Sequence, residues 1–141
     1  MGNGEWGMGA ARSMESIKKG GGMRNVELQE RTKRFALRVI KMVGALPRNM
    51  TADVLGRQTL RSGTSVAANY REACRARTKA EMISKLTQVE QELDETLLWL
   101  ELLVESEIVP RRRMEELRQE TEELLRIMVA SIKTLKAKPG P

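Results

Sequence analysis

A run of hydroxyl, amide and carboxylate side chains is the first place to look for chemistry. Gln58, Ser62, Ser65, Asn69 and Glu72 follow one another at spacings of 4, 3, 4 and 3. On a helix that spacing forms a single stripe, where a bundle ordinarily presents apolar residues. A serine nucleophile at 62 or 65 would need a base beside it, and the chain contains no histidine. Lys79 and Lys85 are not set next to either serine by the sequence, so a hydrolase is not expected. The absence of histidine, with Cys74 as the single cysteine, also argues against a His-ligated or multi-cysteine metal site and an internal disulfide. G-x-G-x-x-G occurs once, as Gly2-Asn3-Gly4-Glu5-Trp6-Gly7, but without the preceding strand that a dinucleotide cradle needs, and G-x-x-x-x-G-K-S/T does not occur, so no nucleotide cofactor is implied. A non-enzymatic protein without metal or cofactor is expected. The polar stripe then has two readings: a seam whose buried groups bond one another and set the register of a bundle, or a groove lined by Asn69 and Glu72 that binds something.

The second candidate chemistry is phosphate recognition. Arg31, Arg34, Arg38 and Lys41 recur at 3, 4 and 3, and Arg57, Arg61, Arg71 and Arg75 share a stripe further along. Charge is segmented: residues 26–49 hold six basic and two acidic side chains, residues 50–77 five and two, and residues 78–109 two and eight. Arginine predominates in the basic stripes, and its planar fork suits bidentate contact with phosphate or carboxylate. The stripes therefore either bind RNA or DNA phosphates or pair with the acidic third segment, within the chain or between copies. Exposed aromatics are scarce, so nucleic-acid binding would be sequence-tolerant and salt-sensitive. Arg111, Arg112 and Arg113 add a further basic cluster at a helix start.

Four helices must position these groups. Leu28, Thr32, Phe35, Val39, Met42 and Leu46 lie at 4, 3, 4, 3 and 4, one stripe of a first helix that Ala36, Ile40 and Val43 widen; Pro47 stops it. Thr51 is a candidate cap for a second helix over 52–76. Thr78-Lys79-Ala80-Glu81 reads as a capping box for a third, with an inner face of Met82, Leu86, Val89, Leu93, Leu97, Leu100 and Val104. From Leu97 onward this helix is apolar nearly all round. Leu98, Trp99, Leu102 and Leu103 fall on its other faces and are the candidate contacts of a homo-oligomer. Ile108-Val109-Pro110 closes the helix. A fourth carries Met114, Leu117, Thr121, Leu124, Met128, Ile132 and Leu135 at spacings of three and four. No segment alternates as a strand does. The pattern predicts an all-α protein, an antiparallel up-down four-helix bundle.

The 141 residues suffice for one domain, with 40% hydrophobic but only 3% aromatic residues to fill its core. Residues 1–24 are rich in glycine and lack the apolar centre of a signal peptide. They are expected to form a flexible tail, with Met14 and Met23 as alternative starts, ahead of a bundle over 25–138. No apolar run reaches the ~20 residues of a membrane span, and one free cysteine suits a reducing, cytoplasmic setting.

Gln58-Thr59-Leu60-Arg61-Ser62-Gly63-Thr64-Ser65-Val66-Ala67-Ala68-Asn69-Tyr70-Arg71-Glu72 resembles the pattern Q-x-x-R-S-x-x-S-I-x-x-N-I-x-E-G. That pattern marks the four-helix bundle proteins encoded in intervening sequences of bacterial 23S ribosomal RNA genes. Leu86 to Thr96 is similar to the same family's third helix, and the resemblance spans about residues 28–137. Ala73 stands where the family commonly has glycine, and Gly63 where alanine is common. The resemblance implies a cytoplasmic homo-oligomer, a pentameric ring. A related group of bundles serves as accessory subunits of reverse transcriptases in diversity-generating retroelements. By fold analogy, a nucleic acid or a protein partner such as a reverse transcriptase is expected. The alternative to a nucleic-acid binder is an adaptor whose oligomer docks a protein.

Overall fold

The computed structural model describes residues 21–138. They form four helices, α1 (Gly21–Gly44), α2 (Met50–Cys74), α3 (Lys79–Glu105) and α4 (Arg111–Ala137), joined by short loops. No strand occurs among the described residues. Residues 1–20 of the expected tail lie outside them, and α1 is already helical at Gly21.

Helix boundaries follow from side-chain chemistry at the turns. Pro47 cannot continue α1, and Asn49, in extended backbone, caps α2 by accepting the Ala52 N–H at 2.9 Å. The expected cap, Thr51, instead sits inside the first turn: Asn49 is the residue placed to reach an orphan amide. The second helix accordingly runs earlier than 52–76. Thr78 caps α3 as expected, accepting the Glu81 N–H at 3.0 Å. At the other end of α3, Ile108 N–H reaches Leu103 O at 3.1 Å and Glu107 N–H reaches Val104 O at 3.0 Å. Glu107 has φ 64, the left-handed residue that this Schellman closure needs and that glycine more often supplies. Pro110, in extended backbone, then precedes α4.

Successive helices pack on one another antiparallel, most extensively α2 on α3, while α1 and α4 approach each other more sparsely. The core joins Leu28, Phe35 and Val39 of α1 and Val66 and Tyr70 of α2 to Leu86, Val89, Leu93, Leu100 and Leu103 of α3. From α4 it takes Met114, Leu117, Leu124, Ile127 and Met128. Burying each such leucine contributes about 1.5–3 kcal/mol. Of the expected α1 stripe, Leu28, Thr32, Phe35, Ala36 and Val39 are buried and Met42, Val43 and Leu46 partly so, while Ile40 is 46% exposed. On α3 the buried line passes through Thr96 and Leu103 rather than Leu97 and Val104. Two glycines bring α1 and α2 together. A Cβ on Gly63 would lie 2.8 Å from Val39 Cγ1, and one on Gly56 3.1 Å from Leu46 Cδ1.

Candidate nucleic-acid interface

The eight candidate phosphate ligands divide by the helix face each occupies. Arg31 falls between Leu28 and Phe35 on the inner side of α1 and is only 6% exposed. Its Nε and Nη2 donate to the two carboxylate oxygens of Glu120 on α4, at 2.8 and 2.7 Å. It is a structural ion pair, and the expectation that Arg31 meets nucleic acid is corrected on that ground. Arg38, two turns on, is half-buried on the same side. Burial lowers its pKa, while the carboxylates of Glu120 and Glu116 oppose that shift. Arg38 thus belongs to the α1–α4 seam more than to open surface.

Arg61 is exposed but engaged. Its Nη1 lies 3.3 Å from Glu92 Oε1 and its Nη2 2.5 Å from Glu95 Oε1, both on α3. Here the pairing of basic stripe with acidic helix holds within one chain. Lys85 of α3 and Glu72 of α2 also pair across these helices, at 2.7 Å, with the charges the other way round. Arg34, Lys41, Arg57, Arg71 and Arg75 remain as exposed side chains. Among the described residues no carboxylate forms an ion pair with Arg34, Arg57, Arg71 or Arg75. Arg57, Arg71 and Arg75 share the outer face of α2, opposite its buried line of Thr59, Val66 and Tyr70. Arg111, Arg112 and Arg113 are exposed at the start of α4.

The polar stripe of α2 is split as well. Ser62 is fully buried and its Oγ lies 2.7 Å from Thr96 Oγ1 on α3. Thr96 Oγ1 donates to Glu92 O at 2.8 Å, and Thr59 Oγ1 donates to Leu55 O at 2.7 Å. Gln58, Ser65 and Asn69 are half-buried, with Asn69 Nδ2 donating to Ser65 O at 3.0 Å, and Glu72 is exposed. The Ser62–Thr96 bond is that of a register-setting seam, and Asn69 and Glu72 do not converge into an enclosed groove.

Of the four expected oligomer contacts, Leu98 and Leu102 are exposed and Trp99 is partly covered, its indole N–H without an acceptor among the described residues. Leu103 is fully buried in the core. It cannot face a second copy, because the buried line of α3 rotates toward α2 at Thr96. No helix among the described residues is long and apolar enough to cross a membrane, and no described cluster of acidic residues and cysteine has the grouping of a metal site.

Sequence reasoning missed Glu120, Ile127 and Ser131 as buried members of α4. A signal was present: Glu120 follows Leu117 by three and precedes Leu124 by four, a carboxylate written onto an apolar stripe. Where α1 ends and α4 begins, an open cleft of about 490 Å³ is lined by Met42, Leu46, Ile108, Val109 and Leu117, with Lys41 and Arg113 as its cations. No motif announced it, because it arises where two loops meet.

The sequence profile of the 23S rRNA-intervening sequence protein family matches residues 24–130, which takes in all of α2 and α3 and most of α1 and α4. The chain belongs to this family. A crystal structure of a protein of unknown function from the S23 ribosomal protein family of Bacteroides thetaiotaomicron VPI-5482 is similar to it. The two share 33% identity and a TM-score of 0.72 over 77% of this chain and 97% of that one. Among curated proteins none matches. Within the matched span, Gln58, Arg61, Ser62, Ser65, Asn69 and Glu72 fall on the α2–α3 side of the bundle. There Ser62 and Arg61 make the cross-helix bonds just described.

Proposed function

We propose that this protein is a non-enzymatic, self-associating bundle of the cytoplasm that holds RNA or DNA by its phosphates, without strong sequence preference. The observation that supports this most is the outer face of α2, where Arg57, Arg71 and Arg75 stand exposed with no carboxylate of the described residues paired to them. Arg34 is a further exposed cation, on α1. Surface cations left unneutralised favour polyanions through counterion release, a term that needs no base contact. Phe35 and Tyr70 are buried in the core, so they offer no platform on which bases could stack.

Self-association is supported by the exposed Leu98 and Leu102 on α3, and a pentameric ring is the assembly the family resemblance implies. The test is an anisotropy titration of nuclease-treated protein against structured RNA and duplex DNA at rising salt. Binding that weakens steeply between about 50 and 200 mM salt is the expected result. No binding at the low end of that range overturns the reading.

The apolar cleft beside the α1–α2 and α3–α4 loops favours a second reading, an adaptor or accessory subunit whose oligomer docks a protein. One protein retained in a pull-down after nuclease treatment, with no RNA or DNA binding in the titration, would select it.

A further inference from the structure

The exposed apolar side chains of α1 and α3 are not scattered. On α1, Leu37 is 55% and Ile40 46% exposed. Leu37 sits opposite the buried Phe35 and Val39 and Ile40 lies one turn on at its flank, with the exposed Lys33 and Lys41 beside them along the helix. On α3, Leu98 and Leu102 lie one turn apart on the outward face, flanked by the exposed Asp94, Glu101 and Glu105. One face is thus a greasy strip edged by cations and the other a greasy strip edged by anions. α1 packs chiefly on α2, and α3 packs on α2 and α4, so the two helices occupy opposite corners of the bundle. Their outward faces point away from each other and cannot meet within one chain.

Resting on the self-association proposed above, we infer that these strips are the two halves of one head-to-tail interface, α1 of one copy packing on α3 of the next. A two-fold contact of α1 on α1 would set lysine against lysine, and α3 on α3 would set carboxylate against carboxylate; the heterologous contact pairs opposite charges around a shared apolar centre. Such an interface repeats from copy to copy, and closure into a ring follows if the rotation between neighbours permits it. It leaves the outer stripe of α2 open, with Arg57, Arg71 and Arg75 on each successive copy.

A head-to-tail contact has a signature that a two-fold contact lacks. Leu37→Asp blocks the α1 face and preserves the α3 face, whereas Leu98→Lys does the converse. Both positions are exposed, and circular dichroism checks that the helices are retained; Ile40→Asp and Leu102→Lys form a second pair if either variant fails to fold. Masses of the nuclease-treated full chain are read by light scattering. The expected result is an oligomeric wild type, two monomeric variants, and a 1:1 mixture of twice the monomer mass with nothing larger. A wild-type oligomer whose variants keep its mass, or whose mixture stays monomeric, overturns the interface alone. A monomeric wild type overturns it together with the proposal of self-association.

Discussion

Arg31 and Glu120 form a bidentate pair that ties α1 to α4 across the side of the bundle where those helices otherwise meet sparsely, at 2.8 and 2.7 Å with little of either side chain exposed. Removing one partner leaves a buried charge, which costs about 3–5 kcal/mol. Arg31→Met and Glu120→Leu should each destabilise the protein by that order. The double variant should recover most of the loss, because packed apolar groups of similar size replace both charges. Urea unfolding of the three variants and the wild type measures this. Single variants within about 1 kcal/mol of wild type would contradict it.

Gly63 and Val39 make the second prediction. Alanine is ordinarily the better helix former by about 1 kcal/mol. Here its Cβ would meet both methyls of a β-branched side chain, at 2.8 and 3.0 Å. Valine has little rotamer freedom to yield with, so Gly63→Ala should be destabilising by about 1–3 kcal/mol. Gly63→Ala with Val39→Ala should be less damaging than the sum of the two, since the second change makes room for the first. Additive thermal unfolding shifts would place the strain elsewhere.

The Ser62–Thr96 bond carries a third. Ser62→Ala removes a buried hydroxyl partner and should cost about 1 kcal/mol. In a double-mutant cycle with Thr96→Val, the coupling should be at least about 0.5 kcal/mol. Coupling near zero would mean that the two hydroxyls are each satisfied by their own helix.

A fourth concerns pH. The Arg118 guanidinium donates to Glu115 and holds its carboxyl below the ordinary value near 4.5, while Arg118 itself is raised by Glu115 and Glu122. A carboxyl whose folded pKa is depressed stabilises the fold above its unfolded value, and that stabilisation is lost as pH falls through the folded one. Arg118→Gln should return the Glu115 midpoint toward 4.5, as followed by carbon-13 NMR of the carboxyl. An unchanged midpoint would remove Arg118 as the cause.

Much of the architecture was legible because helical periodicity is a local property. Leu28, Thr32, Phe35 and Val39 announce the inner face of α1, and the buried residues of α4 from Met114 to Ile132 include the whole expected stripe short of Leu135. What escaped depends on partners distant in the chain. Ile40 has the type of a core residue but no helix covers it, and Thr96 turns inward because Ser62 offers it a bond. Arg31 looked like one of four equivalent surface cations. Only its alignment with a carboxylate 89 residues away separates it from Arg34. Arg61 likewise shares a stripe with Arg71 and Arg75 but meets Glu92 and Glu95 on α3. Periodicity places a side chain on a face of its helix, and the neighbouring helix decides what that face means.

The most direct test of phosphate binding is the salt slope of affinity for one duplex. It is measured for the wild type and for a variant carrying Arg57→Gln, Arg71→Gln and Arg75→Gln, with Arg31→Gln as a separate control at the buried pair. Each lost phosphate contact lowers the slope of log affinity against log salt by about 1. The account predicts that the triple variant binds more weakly and with a slope smaller by about 3 per chain engaged, without loss of helicity. A triple variant with the wild-type affinity and slope would contradict it.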